Sequence, residues 1–307
     1  MISFILVLAT ISCSQSPAAP QGSVGGDGGL VPGLSDKTWE GGLDVNLEGF
    51  ESTEQLRADR QVFDTGNLNL EKISLDFDDP YVEGGLTRSM RYDFESQGVN
   101  SVHIGRGILL PTMVRELWGE VVIKWSRNFT PCNPNRTRCD HKTLFYRVHP
   151  AEDNGRWSLH VGGGAGEGGP DVNVTIFTPR GPVEGHPDWV KWGLPRALRE
   201  VDISNRPSMV PANQYYDEEW HVVRMYVRHS TDEESYDAQM KLWIDGELLY
   251  DTAELQAKYG LPRFGTDEQL MIREILVGRN KDAGLDNGTE SMWVARIRAW
   301  KDNPGWD

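Results

Sequence analysis

Five short runs place cationic and proton-transfer side chains on one side of a two-residue alternation. "RWSLHV" sets Arg156, Ser158 and His160 against Trp157, Leu159 and Val161, and "HVVRMYVRH" sets Arg224, Tyr226 and Arg228 against Val223, Met225 and Val227. "TLFYRVH" opposes Arg147 and His149 to Leu144, Tyr146 and Val148. "ELWGEVVIKW" opposes Glu116, Trp118, Glu120 and Lys124 to Leu117, Val121, Ile123 and Trp125, and "MKLWI" holds Lys241 and Trp243 away from Met240, Leu242 and Ile244. Histidine titrates near neutrality and suits proton abstraction, tyrosine can return a proton, and arginine carries permanent charge. If these strands line one groove, their basic side chains form a local feature suited to an anionic ligand. Trp118 and Trp243 could then stack on sugar rings. The alternative for each strand taken singly is a solvated outer face.

The elements that would position these residues are strands. A period of two is the β signature, and it recurs in "SMRYDF", "NVTIFT", "ELLYD", "REILVG" and "WVARIRAW". Asp245-Gly246 inside "KLWIDGELLYD" favours the positive φ angles of a type I′ turn, so this stretch predicts a hairpin. The 33 glycines and 17 prolines fit a chain of many strands and turns. "TAELQAKYG" predicts one short helix ending at Gly260. The expected architecture is an all-β, two-sheet antiparallel β-sandwich of jelly-roll type. A formal net charge of −15 argues against a general nucleic-acid binder. Beyond the N-terminus, no apolar run has the roughly 18 residues a membrane span needs.

The first residues differ. "MISFILVLATISC" has the length and apolarity of a signal peptide and ends at Cys13, and the low-complexity "SQSPAAPQGSVGGDGGLVPG" behind it reads as a tether. This resembles a bacterial lipoprotein signal in which Cys13 is lipidated. Thr10 in place of the usual leucine, and the lack of Lys or Arg ahead of the apolar run, leave an ordinary secretory signal as the alternative. Both predict an exported protein, at the outer membrane or cell surface if lipidated and otherwise secreted or periplasmic. The expected organisation is a signal over 1–12, a linker over 13–36 and a β-sandwich over 37–307. Of the three cysteines, Cys132 and Cys139 then remain to bridge "CNPNRTRC" as a disulfide, the alternative being two free thiols.

Three segments, "ELWGEVVIKWSRNF", "EEWHVVRMYVRHSTDEESYDAQMKLWIDGELLYDT" and "ILVGRN…SMWVARIRAWKDNPGW", resemble strands of the concanavalin A-like lectin and glucanase superfamily, in particular its jelly-roll polysaccharide lyases. The resemblance spans about residues 85–307. It implies a concanavalin A-like sandwich that engages a polysaccharide. Laminarinase-type members carry Glu-x-Asp-x-x-Glu, whereas "EVDISN" offers Glu200 and Asp202 but Asn205 at the acid/base position. A retaining hydrolase needs two carboxyls about 5–5.5 Å apart, and Glu116 and Glu120 on one straight strand lie about 13 Å apart. The Arg-x-Glu-Leu-Arg and Gln-Ile-His elements of alginate lyases are not matched; "RELW" at Arg115–Trp118 is a partial likeness.

On this resemblance the candidate activity is β-elimination on an acidic polysaccharide. His160 would be the base, Tyr226 the acid, and Arg156 or Arg224 the group that neutralises a uronate carboxylate. Trp118, Lys124, Glu116, Arg147 and Trp243 would hold flanking sugars. Two other classes stay open: a non-catalytic carbohydrate-binding or surface-recognition lipoprotein, in which His160 is a surface histidine, and a structural envelope component. No cofactor is implied. Calcium is an alternative to a solvated turn at Asp282, Asp286, Asn287 and Glu290 in "RNKDAGLDNGTE". "HVGGGAGEGGPD" precedes an extended run rather than a helix, so it reads as a loop bordering a groove and not a phosphate site. The expected partner is an anionic polysaccharide, with membrane contact only through a lipid anchor.

Overall fold

In a computed structural model the described residues are 42–95, 102–129, 142–148, 156–161, 172–177, 215–229, 231, 237–251, 271–278, 280–281 and 288–306. In chain order the first strands are β1 (Leu43–Asn46), β2 (Thr65–Leu68), β3 (Ile73–Asp76), β4 (Ser89–Glu95), β5 (Val102–His103), β6 (Gly105–Val114), β7 (Glu116–Trp125) and β8 (Lys142–Val148). They are followed by β9 (Arg156–Val161), β10 (Val172–Phe177), β11 (His221–Arg228), β12 (Gln239–Ile244), β13 (Glu247–Asp251), β14 (Ile272–Val277), β15 (Asn280–Lys281) and β16 (Thr289–Trp300). One sheet runs β13-β12-β11-β7-β16-β4-β3 with β1 beside β16, and the other runs β10-β9-β8-β14-β6-β2. All their pairings are antiparallel, which gives the expected two-sheet sandwich.

The alternation read from sequence fixes which residues meet between the sheets. Leu117, Val121, Ile123 and Trp125 of β7, Val223, Met225 and Val227 of β11, and Met240, Leu242 and Ile244 of β12 are all buried in one core with Leu144 and Tyr146 of β8. Each such side chain contributes on the order of 2 kcal/mol through burial. The Tyr146 hydroxyl crosses the core and donates to the Met225 carbonyl of the facing sheet at 3.0 Å. Gly119, opposite Met225 in register, makes room for it, because a Cβ there would collide with that hydroxyl.

The Asp245-Gly246 turn forms as expected, with φ of 52° and 83°. Its register pairs Ile244 with Glu247. β6 was not legible as a strand. It contains Pro111 and two glycines, and Pro111 falls where the β6–β14 register shifts, between Leu109 opposite Glu274 and Val114 opposite Ile272. A bulge frees that stretch from supplying every ladder N–H. A helix, α1 (Thr53–Ala58), also went unforeseen; Ser52 caps it by accepting from the Gln55 N–H at 3.2 Å. Residues 252–260, where a helix was expected, lie outside the described residues, as does the glycine-rich loop at 162–171.

Candidate functional site

The face of the first sheet that points away from the core carries most of the candidate residues. Register places Trp118 between Tyr226 and Trp300, and Arg224 between Glu120 and Trp243. Neighbours on one sheet face lie about 5 Å apart, so these aromatic rings meet. Trp118 and Tyr226 have ring centroids 4.1 Å apart, and Trp118 stacks on Trp243 at 6.4 Å. Trp306, from the segment after β16, stands edge-on to Trp118, Trp243 and Trp300 at 5.7, 6.1 and 5.4 Å. Trp118, Tyr226 and Trp243 are therefore buried beneath a cover. This corrects the expectation that Trp118 and Trp243 are open stacking platforms; the half-buried indoles at this surface are Trp300 and Trp306.

Beside the aromatic cluster lies a charged triad. The Glu120 carboxylate is only 1% exposed and accepts from Arg224 Nε at 2.9 Å and from Arg298 Nε at 2.8 Å, with Arg298 Nη2 completing a fork. The two arginine side chains stay 31% and 30% exposed. Arg224 sits 5.0 Å from the Trp306 ring centre, and Arg298 sits 5.3 Å from that of Trp300. Arg296, one pleat along β16, is forked onto Asp44 of β1. The result is a row of planar guanidiniums held in fixed orientation, which is the arrangement that recognises carboxylates.

Other expected ligands are already engaged. Lys124 is buried, ion-paired with Asp79, and lies 4.5 Å from the Trp293 ring centre and 5.2 Å from that of Trp220. Burial draws its pKa down despite the nearby carboxylates Asp76, Glu218 and Glu219. Trp293 is itself fixed by donating Nε1–H to Asp76 at 2.8 Å. This corrects the reading of Lys124 as a sugar ligand. Glu116 stands opposite Arg228 in register and hydrogen-bonds the Tyr226 hydroxyl. Burial, then the Glu116 charge, push the Tyr226 pKa well up.

The candidate base and acid do not share a face. Tyr226 lies on the outer side of the first sheet, whereas the strand carrying Arg156 and His160, β9, belongs to the second sheet. Register sets Arg156 opposite Arg147, and His160 opposite Asn173 and Lys142. The side chains of Arg156 and His160 lie outside the described residues. Because β9 is across the core from Tyr226 and Arg224, the expected His–Tyr–Arg grouping on one sheet is not assembled. Arg147, also of the second sheet, is ion-paired with Glu274 at 2.6 Å, and Glu274 accepts from Thr65 Oγ1 at 2.5 Å. Period-two reading assigns a residue to a face of its own strand; it does not say which sheet the strand joins.

A histidine centre that sequence reading passed over is His221. Its Nδ1 lies 2.7 Å from Asp245 Oδ2 and its Nε2 lies 3.1 Å from Asp217 Oδ1. The ring packs against Tyr215 and Trp125. Burial draws its pKa down, but the bonds to Asp245 and Asp217 outweigh that and hold it above the ordinary histidine value. Below that raised pKa the ring carries both protons and donates to Asp245 and Asp217 together. The Asp at the hairpin turn was the available signal, since Asp245 also accepts from the Val222 N–H at 2.8 Å.

Cys13, Cys132 and Cys139 lie outside the described residues, as do Asp282, Asp286, Asn287 and the "EVDISN" segment. Glu290, the remaining calcium candidate, is fully buried and stands in register with the core residue Phe94. Among the described residues no group of three or more His, Cys, Asp and Glu side chains is arranged to hold a metal ion.

No protein-family model matches the sequence, and no curated protein matches it either. Solved structures to which the chain is similar include an alginate lyase from Chlorella virus, at 9% identity and TM-score 0.42, with 70% of this chain and 85% of that one covered. A structure described with endo-acting O-glycanases of the human gut microbiota that initiate mucin breakdown aligns at 13% identity and TM-score 0.38, over 80% and 90% of the two chains. The Emp47p carbohydrate recognition domain aligns at 10% identity and TM-score 0.39, over 79% and 93%. At such identities the likeness concerns the fold alone.

Proposed function

We propose that the protein is an exported polysaccharide-binding β-sandwich, and that it recognises acidic chains at the outer face of its first sheet. The observation that carries this reading is the Glu120 triad: a buried carboxylate holding two guanidiniums, each about one-third exposed, beside the half-buried indole Trp300. A pyranose presents a C–H face that stacks on indole, and a uronate presents a planar carboxylate that matches the guanidinium fork. These contacts sit on a chain of net charge −15, so the cationic strip is local and selective rather than a general attraction. Binding is favoured over elimination because Tyr226, the candidate acid, is buried and the strand carrying His160, the candidate base, belongs to the other sheet. The likeness of the strand sequences to jelly-roll polysaccharide lyases supports the same ligand class.

The test is calorimetric titration of the mature protein with alginate, polyglucuronate and pectate oligosaccharides, with neutral xylo-oligosaccharides alongside. Acidic chains should bind and neutral chains should bind more weakly. Arg224→Ala and Arg298→Ala should each weaken acidic-chain binding roughly tenfold, the value of one charge-assisted hydrogen bond. Glu120→Gln should weaken it roughly threefold to tenfold by loosening both guanidiniums. Equal affinity for acidic and neutral chains, or undiminished binding by both arginine variants, would overturn the assignment. Ultraviolet absorbance of an unsaturated product in the same mixtures would instead restore the lyase reading.

A further inference from the structure

The segment after β16 does more than end the sheet. Lys301, Asp302 and Asn303 are exposed, and the chain then turns so that Trp306 lies over Trp118, Trp243 and Trp300. The turn is local: Asn303 Oδ1 accepts from the Gly305 N–H at 2.8 Å and from the Trp306 N–H at 3.1 Å, with Gly305 at φ +89°. Trp306 meets all three indoles edge-on, at interplanar angles of 73°, 69° and 85°. It is half-buried, whereas Trp118 and Trp243 beneath it are buried. Trp118 Nε1–H is buried there without a hydrogen-bond partner. A buried donor left unsatisfied is costly, so this recess is incompletely served by the ring that fills it.

We infer that residues 301–306 form a strap whose Trp306 occupies the aromatic recess of the glycan-binding face, and that a sugar ring of an acidic chain displaces it. This rests on the binding reading above and adds its regulation. The recess supplies what a uronate residue needs: indole surface for the C–H face, the Trp118 N–H for a hydroxyl, and Arg224, released from its contact with the Trp306 ring, for the carboxylate. An indole held this way is exchangeable for such a ligand, because Trp306 is only half-buried, its edge-on ring pairs add little beyond that burial, and the strap's own turn is closed by Asn303 rather than by the sheet. Apparent affinity is lowered by the fraction of molecules in which the strap is closed.

Two measurements on the full-length protein test this, with oligomannuronate as probe. In calorimetry Trp306→Ala should bind about tenfold more tightly than the wild type, since the competing ring is gone. In fluorine NMR of 5-fluorotryptophan-labelled wild-type protein, the Trp306 signal, assigned through Trp306→Phe, should move to the solvent-exposed position when oligomannuronate saturates the site. The second measurement reads the wild-type protein itself, and the conservative variant serves only to assign the signal. Wild-type binding with unchanged or weaker binding by Trp306→Ala, or a Trp306 signal that stays protected in the saturated complex, overturns the strap and leaves the binding reading standing. Absence of binding by both proteins overturns the two together.

Discussion

Stability should fall with rising pH through His221, and the structure gives the size. Nδ1–H donates to Asp245 at 2.7 Å and Nε2–H to Asp217 at 3.1 Å, which requires both protons. The neutral ring keeps one N–H, so deprotonation turns one bond into a lone pair facing a carboxylate. A hydrogen bond to a charged group contributes about 1.5–3 kcal/mol. The two aspartates are themselves 42% and 46% exposed and can be resolvated, so we take about 1–2 kcal/mol. The sign follows from the raised pKa. Between the ordinary value of 6.5 and the higher native one, the folded state binds more protons than the unfolded chain, so stability declines as pH rises. It is fully present below 6.5 and is lost through the native pKa. Asp217 acts in the opposite sense: burial raises it, but the Glu219 N–H and His221 outweigh this and lower its pKa, so its contribution is lost in acid. For a domain of this size the histidine term corresponds to about 2–8 °C in Tm. The assay is calorimetric melting at several pH values between 5.5 and 9 for the wild type and His221→Gln, whose amide bonds one carboxylate and does not titrate. The difference in Tm should shrink steadily as pH rises. A difference independent of pH, or one that grows, would refute the assignment of a doubly bonded imidazolium.

Gly119→Ala should destabilise by about 2–4 kcal/mol, from overpacking and loss of the Tyr146–Met225 bond; Tyr146→Phe in the same chain should recover part of it, which thermal melts will show. Cys13 should incorporate labelled palmitate when the protein is expressed in a Gram-negative host and Cys13→Ser should not, equal labelling of the two being the contrary result. Intact mass of the exported protein after denaturing alkylation should show Cys132 and Cys139 unmodified until reductant is added, and two alkylated thiols without reductant would exclude their disulfide.

The sandwich was legible because a half-buried strand must alternate, and "RWSLHV" does so throughout while "ELWGEVVIKW" and "HVVRMYVRH" depart from it at Trp118, Gly119, Val122 and Val222. β7 occupies the expected residues, and Asp245-Gly246 forms the expected turn. What escaped was structure whose signal is not periodic. β6 tolerates Pro111 through a bulge that only its partner strand defines. In α1 only Leu56 is buried, so no helical stripe exists to read, although Ser52 and Gln55 stand at capping spacing. The candidate site was less legible for a topological reason. Strand order in the first sheet brings together β7, β11 and β16, which are far apart in sequence, and leaves β9 in the other sheet. His160 and Tyr226 looked alike in their strands and were separated by pairing choices that alternation does not encode.

The outer face of β7 also shows why residue type misled. A strand with one solvated face should expose every second residue, yet Trp118, Glu120, Val122 and Lys124 are all buried. Aromatic neighbours and covering segments bury three of them: the Trp306 strap over Trp118, Tyr81 and Trp220 against Val122, and Trp220 and Trp293 around Lys124. Glu120 is the exception that bears on function. A buried carboxylate is costly, and a buried ion triad is often no more stabilising than apolar residues of the same volume. Its neighbours along the strand, Trp118 and Val122, are apolar, and its lateral neighbours are Arg224 and Arg298. What Glu120 does achieve is to hold Arg224 and Arg298 in fixed orientation with each about one-third exposed, an order that free arginines would lose to side-chain entropy. On the binding reading proposed above, the arrangement is a fixed surface for an anionic group.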